Sequence, residues 1–297
     1  MGLGLPLGEA CLTFVVVPTA SYRSFHARVR RREALSPTFT RVTLEGPELA
    51  DFGGVCLDQR AKVVMPLPEG VGFARFPRGG DWYGQWRGLP ESQRNPFRTI
   101  TVRDVRPEQC EVDIDIALHG DLGPLSRWAS TCAADDEVVL IGPDARVAES
   151  SVDGIEWRPG PATQVLLAGD ETAVPAIASI LERSNPELLG DAYLEVPLAE
   201  DRLPLPNPTG IRVHWLVRGD RPHGEALVEA VTGSAVPPEV NSEELLWEVQ
   251  AGRGGRFAWV AGEAAAVRAI RRHLVANGWD RQHVAFMGYW RSGHSEA

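Results

Sequence analysis

Lysine is almost absent from this 297-residue chain: Lys62 is the only one among 30 basic residues, and 40 acidic residues leave a net charge of −10. A protein that neutralises a phosphate backbone presents a basic face, so this balance argues against nucleic acid as a partner. Any anionic ligand must find a local positive pocket. Cysteine is equally sparse. Cys11, Cys56, Cys110 and Cys132 stand far apart, with no Cys-x-x-Cys pair and no Cys/His cluster of metal-ligand spacing. That excludes the common zinc motifs and fits a reduced, cytoplasmic protein. No apolar run approaches the ~20 residues of a membrane span. The first residues carry an acid at Glu9 and no base before Arg23, unlike a signal peptide, and residues 1–24 read as an N-terminal extension. A monomer is the default expectation.

What is present divides into two kinds of pattern, and the length suits two domains. In residues 25–146 short strands and turns dominate. Val112, Ile114, Ile116 and Leu118 alternate with Glu111, Asp113, Asp115 and Ala117, the period-two signature of a half-buried strand. RTITVRDV and DEVVLIGP read as further strands, and Gly123-Pro124 opens a short helix, because proline is at ease in a first turn. The expectation is an antiparallel β-barrel with one inserted helix. Residues 147–162 lie in a polar, Gly/Pro-rich stretch and read as a linker. Across residues 163–297 strand and helix alternate: strands at Val165–Ala168, Ala192–Pro197, Arg212–Val217, Phe257–Val260 and Val284–Tyr289, and helices after Thr172, at Gly224–Val231 and at Ala264–Leu274. Such alternation predicts a parallel sheet with helices on its faces, an α/β module.

Three stretches carry chemistry. In RNPFRTITVR, strand alternation puts Arg98 and Ile100 on one face and Thr99 and Thr101 on the other, and a guanidinium there suits a pyrophosphate through bidentate hydrogen bonds. The simpler reading is a solvated strand arginine. In LHGDLGPLSRWA, the helix start at Gly123 and Pro124 offers amide hydrogens and a positive dipole end, with Ser126 as an added donor. There His119-Gly120 also reads as a plain turn, and Trp128 as core. The GDET turn from Gly169 to Thr172 follows a strand and precedes a helix, at the crest where open α/β sheets bind ligands. Read as structure alone, Thr172 caps the helix, Glu171 answers its dipole, and Glu263 does the same at the next helix.

Taken in order, Arg98-Thr99-Ile100-Thr101, Leu118-His119-Gly120, Gly123-Pro124 with Trp128-Ala129, Gly169-Asp170-Glu171-Thr172-Ala173, Ala261-Gly262-Glu263 and Gly288-Tyr289-Trp290 resemble the motifs of the siderophore-interacting proteins. These are flavin-dependent ferric-siderophore reductases related to ferredoxin reductase, and the likeness spans about residues 26–293. It implies a flavin-binding barrel followed by a nicotinamide-nucleotide-binding module. FAD is the implied cofactor, NADPH or NADH the implied electron donor, and a ferric siderophore or another iron chelate the implied partner. By the same resemblance Arg98, Ile100, Thr101, Leu118, His119, Gly123, Pro124 and Ser126 line the flavin from the barrel. Asp170, Glu171, Thr172, Glu263, Tyr289 and Trp290 approach it from the second module, with Thr172 and Glu263 beside the nicotinamide. Lys62, Arg127 and Arg291 are the implied siderophore contacts, and Arg202 and Arg218 the candidate ligands of a 2′-phosphate. One position departs from the pattern: the family has tyrosine where this chain has Ile100. Isoleucine offers no π face, so a stacking contact worth ~1–3 kcal/mol by analogy with nucleobases is missing. Alternatives from the residues themselves are a flavin oxidoreductase with another acceptor, or a binding protein of this fold without turnover.

Overall fold

In the computed structural model, residues 21–68, 70–78, 81–119, 123–233, 246–249 and 255–293 are described. The expected N-terminal extension lies almost wholly outside them. The first half contains strands β1 (Tyr22–Ala34), β2 (Phe39–Glu45), β3 (Arg60–Val64), β4 (Phe97–Arg106), β5 (Glu111–Ala117) and β6 (Glu137–Pro143), with helices α1 (Trp82–Gly88) and α2 (Pro124–Thr131). The strands close into an antiparallel barrel in the order β1-β2-β5-β4-β3-β6. Closure follows from the length of β1, whose 13 residues pair with β6 through one end and β2 through the other, with a bulge between Val29 and Arg31. Alternate residues fill the interior. Val29, Val42, Leu44, Val63, Ile100, Val112, Ile114 and Leu140 form one apolar cluster, which α2 closes with Trp128 and Ala129.

The polar side of β5 corrects the half-buried reading. Glu111, Asp113 and Asp115 are as buried as the apolar residues between them, at 4%, 4% and 7% exposure. Arginines cover them: Arg106 bonds Glu111 and Asp113 at 2.8–3.0 Å, and Arg41 holds Asp115 through a bidentate pair at 2.7 and 2.8 Å. Burial alone would raise the Asp113 carboxyl, but bonds from Arg106 and Thr43 outweigh it and hold the group below the usual carboxylate range.

The second half contains β7 (Gln164–Gly169), α3 (Val174–Arg183), β8 (Leu189–Val196), β9 (Gly210–Val217), α4 (Glu225–Thr232), β10 (Trp247–Val249), β11 (Arg256–Glu263), α5 (Ala264–Ala276) and β12 (Val284–Trp290). Its sheet order is β10-β12-β11-β7-β8-β9, parallel except for the short antiparallel edge strand β10. Helix α3 packs in the core on one face, α4 and α5 in the core on the other. Gly224, at φ 78°, is what lets α4 sit against α5: a Cβ there would stand 2.4 Å from that of Ala266.

Buried carboxylates join the halves. Asp58, between β2 and β3, accepts from the backbone of Glu156 and Trp157 and from Trp259 Nε1 at 2.8 Å. The segment between the halves is packed down, with Ile155 and Trp157 buried in the second core. Asp201, fully buried, accepts from Ser36 Oγ (2.7 Å), Thr38 N (2.9 Å), Thr38 Oγ1 (2.8 Å) and Leu198 N (3.0 Å). Arg103 reaches Glu182 at 2.6 Å and Arg183 reaches Asp104 at 2.9 Å, tying β4 to the end of α3.

Asp201→Ala strands several buried donors at once, each costing about 1–3 kcal/mol when left unpaired. We expect a loss of about 3–5 kcal/mol in denaturant unfolding, and a smaller one for Asp201→Asn, which keeps one acceptor oxygen. Equal losses would show that the docking does not depend on both oxygens.

Candidate functional site

Strands β7, β11 and β12 lie side by side and end at Gly169, Glu263 and Trp290, so their carboxyl ends form one crest. Asp170 is the hub. Its Oδ2 accepts from Glu263 N at 2.7 Å and from Trp290 Nε1 at 2.9 Å, and its Oδ1 from the amide and hydroxyl of Thr172. Gly262 makes the approach possible: at φ 139° it has no side chain, and a Cβ would lie 2.5 Å from Asp170 Oδ2. The expected helix cap is thus corrected. Thr172 does not cap α3, which starts at Val174 after Ala173; the Thr172 side chain is turned back to Asp170. Glu263 does cap α5, accepting from Ala265 N and Ala266 N at 2.6 and 3.1 Å.

Glu171 points away from the α3 dipole and into a buried ion cluster. Arg218 grips it at 2.7 and 3.1 Å and reaches Glu195 at 3.4 Å, while Glu195 accepts from Gly224 N and Leu227 N at the start of α4. Arg218 is only 8% exposed and committed to two carboxylates, so it is not available to a 2′-phosphate; Arg202, on the surface, is not so constrained. Two histidines close on the same carboxylate, His119 Nδ1 at 3.8 Å from the barrel side and His223 Nδ1 at 3.6 Å from the loop before α4. The Trp290 indole lies between them, with ring centroids 6.2 Å from His119 and 4.9 Å from His223. His119 therefore brings the barrel to the crest of the sheet. Burial lowers its pKa, Glu171 opposes the shift, and His223 and Arg218 add to it.

The remaining candidates are distributed around this crest. Tyr289 and Trp290 make different contacts, and the pairing of β12 with β11 is irregular beside them. Tyr289 stacks on Trp247 (6.2 Å) and meets Trp259 edge-on (6.3 Å), and its hydroxyl is buried with no hydrogen-bond partner among the described residues. Burial raises that phenol well above its ordinary value. On β4, Arg98 is half-buried and donates to its neighbour's carbonyl, Ile100 is 8% exposed within the barrel core, and Thr101 is buried on the outer face. Leu118 packs against the barrel core, and Ser126 Oγ accepts from His119 N at 3.2 Å, bracing that histidine. Gly123 and Pro124 open α2, and among the described residues no side chain caps its first turn and a Cβ on Gly123 would meet nothing within 4 Å. Gly120 lies outside the described residues. Lys62 Nζ bonds Thr99 Oγ1 at 3.1 Å on the outside of the barrel; Arg127 is exposed on α2 and Arg291 half-buried after β12. Sequence reasoning missed His223 and Glu195, which carry no motif and become site neighbours only through folding.

Residues 28–147 match the family model of the siderophore-interacting FAD-binding domain, and residues 162–293 that of the siderophore-interacting protein. The chain belongs to the siderophore-interacting protein family. The ferric vibriobactin reductase of Vibrio cholerae is 30% identical over 90% of this chain and 89% of its own length. The siderophore-interacting protein SipS of Aeromonas hydrophila, 31% identical, superposes with a TM-score of 0.69 over 93% of this chain and 94% of its own. A ferredoxin NADP+ reductase from Neisseria gonorrhoeae, 11% identical, has a TM-score of 0.53 over 91% of this chain and all of its own, which shows the fold alone. The barrel followed by an α/β module, expected from the order of strands and helices, is present, and it is the ferredoxin reductase-like architecture that the resemblance implied. No helix of the described residues is long and apolar enough to cross a membrane.

Burial, reinforced by Glu171, pushes the Asp170 carboxyl up to about 7, against the bonds from Thr172, Trp290 and Glu263. The ordinary carboxylate value is about 4. Between those pH values the folded protein holds a proton that the unfolded chain has released. Its stabilisation is complete at the acid end of the window and is lost as the pH rises through about 7. Asp170→Asn should flatten the slope of unfolding free energy between pH 5 and 8, on the order of 2–4 kcal/mol across the range. Parallel slopes for the two proteins would place the proton elsewhere.

Proposed function

We propose that this protein takes hydride from NADPH or NADH onto FAD and passes electrons singly to the iron(III) of a siderophore, so that iron(II) leaves the chelator. The observation that carries the reading is the meeting of the two family-matched halves at one place, with His119 of the barrel and Trp290 of the sheet both set on the Asp170–Glu171 turn. The residues present fit a flavin dinucleotide. The uncapped first turn of α2 and the Arg98 guanidinium suit its pyrophosphate. Thr101 and the indole of Trp290 are the neighbours proposed for its ring.

A flavin, when bound, accepts two electrons together and releases them one at a time, which matches a two-electron donor to a one-electron metal. This chain's own residues then bind, orient and exclude water. Asp170 fixes Trp290 and the β11 turn, so the indole is held by one hydrogen bond to a carboxylate that the Glu263 amide also anchors. Arg218 neutralises Glu171 within a buried cluster, and both histidines beside it stay partly exposed. Thr172 and Glu263 stand on the rim proposed for the nicotinamide. Lys62, Arg127 and Arg291 are the cations proposed to receive an anionic chelate, drawing it in against a net charge of −10. Reduction weakens the hold of hard oxygen ligands on the metal, which releases it. An isoleucine at position 100 favours retention of weakened rather than tight flavin binding, with phosphate contacts contributing most of the affinity.

Titration with FAD should give saturable flavin absorbance, bleached anaerobically by NADPH or NADH, and ferric chelate should then yield iron(II) trapped by a colorimetric ligand. A protein that stays colourless at high FAD is not a flavoenzyme. Arg98→Ala should weaken FAD by about tenfold or more, from loss of a charge-assisted contact worth roughly 1.5–3 kcal/mol. Lys62→Ala should instead raise the KM for the ferric chelate and leave FAD affinity near the wild-type value. The reverse pattern would exchange the two assignments.

A further inference from the structure

At the opposite end of the second sheet from the crest, the amino ends of β7, β8 and β11 border a cavity of about 280 Å³. It lies on the face that α4 and α5 cover, as the alternation of β8 requires: Asp191 and Tyr193 line it, and Glu195, next on that face, holds the start of α4. Leu166 of β7, Val231 of α4 and Trp279, just beyond α5, complete the apolar part of the lining. Gly190 also borders the cavity, at φ 143°, and a Cβ there would collide with the Val165 carbonyl, so a side chain is excluded from that part of the lining.

Two aromatic rings border this cavity, and each is held in place. Gly278, at φ 78°, ends α5 in a Schellman turn: its own amide reaches Val275 O at 3.2 Å and the Trp279 amide reaches Leu274 O at 3.0 Å, which fixes the indole against the core. The Arg256 guanidinium lies 4.7 Å from the centre of that indole and donates to Gly278 O at 3.3 Å. Tyr193 is stacked on His214, its partner across β9, at 4.7 Å and 15°. His214 Nε2 in turn lies 2.6 Å from Asp191 Oδ1, and Arg212 grips the same carboxylate at 3.0 and 2.9 Å. Asp191 is thus already occupied, whereas among the described residues no carboxylate stands within ion-pair distance of Arg256. The uncompensated charge at the cavity is positive. The end of α5 opposes an anion through its dipole, but its carbonyls at His273, Leu274 and Val275 already accept from the amides that follow.

Small-molecule sites run from about 300 to 1,000 Å³, so a cavity at the bottom of that range takes a single ring and not a dinucleotide. Two fixed aromatic rings and a guanidinium select a flat ligand with one negative charge. We infer that this cavity is a second binding site, separate from the crest, for a small aromatic carboxylate. The ring of the ligand lies against Tyr193 and Trp279, and its carboxylate pairs with Arg256. An aliphatic carboxylate would keep the ion pair and lose the stacking; a neutral aromatic amide would do the reverse. The six residues of β7 put about 20 Å between this cavity and Gly169, so occupancy here leaves the crest open. The inference uses nothing from the flavin reading.

Calorimetry on the full-length, FAD-supplemented protein at fixed ionic strength would compare benzoate, cyclohexanecarboxylate and benzamide, which separate the ring from the charge. We expect benzoate to bind with a Kd below about 1 mM and at least about fivefold more tightly than either of the others. Arg256→Gln, at an exposed position, should lose about tenfold for benzoate and leave benzamide within about twofold. Tyr193→Leu should bring benzoate down toward cyclohexanecarboxylate. Equal affinity of the wild type for the three probes, or an unchanged benzoate affinity in Arg256→Gln, overturns the site. So does displacement of benzoate by FAD or NADPH, which would put the probe at the crest. The wild-type comparison decides the matter even if a variant folds poorly. A protein that fails to take up FAD strikes the flavin reading alone, because the benzoate titration is then read on the same protein without it.

Discussion

The bond from the Trp259 indole to Asp58 sets the frame for everything else in this molecule. It joins residues 201 positions apart, from a loop of the barrel to the middle of the second sheet, and both partners are buried. Burial pushes the Asp58 carboxyl up to about 6, and only the bonds from Trp259 and from the backbone of Trp157 and Glu156 draw it back. A carboxylate in such a place is tolerated when its lone pairs are met, and removing its partners leaves an uncompensated charge in a dry interior. Trp259 lies on β11, the strand that ends at Gly262 and Glu263. The strand that leads to the crest is thereby tied to the barrel through a buried carboxylate, alongside the contacts of Asp201.

A second tie works at the far end of α3. That helix begins at the turn carrying Asp170 and Glu171, and its last residues, Glu182 and Arg183, cross to Arg103 and Asp104 on β4. Strand β4 also carries Arg98 and Thr101. One helix therefore has the crest at its start and the strand of the barrel's proposed cofactor contacts at its end, so a shift of the barrel would tilt both together. The ion pairs themselves are partly exposed and individually weak. Their effect is geometric, in that they fix a helix already held by burial from Val174 to Leu181, apolar apart from Ser179.

Much of this was legible because one-dimensional signals sufficed. Alternation in β5 and the strand-helix rhythm after residue 163 gave both halves, and the turn at Gly169 and the N-cap at Glu263 were readable from spacing. What was not legible depends on contacts between distant residues. Nothing in the alternation of β5 says that its acidic face is buried, since the arginines that cover it come from β2 and β4. Thr172 looked like a helix cap because its residue type is right; Asp170, two positions earlier, takes the hydroxyl instead because β11 and Trp290 already hold that carboxylate in place. The order between β3 and β4 arises from rings packing on the outside of the barrel, and α1, at seven residues, is too short to show a period.

The replacement of the family's tyrosine by Ile100 looks different once the barrel is seen. Ile100 lies in the core cluster with Ala61, Val63 and Val102 and is almost fully covered, on the face of β4 opposite Thr101. An aliphatic side chain packed there exerts no orienting pull on a planar ligand. Under the proposed reading, orientation must then come from the other half, where Trp290 is held by Asp170 and flanked by two histidines. The constraint has moved from a residue that packs locally to one whose position depends on the docking of the halves. Under that reading the residues that dock the halves, Asp58 and Asp201 among them, bear on the geometry of the site.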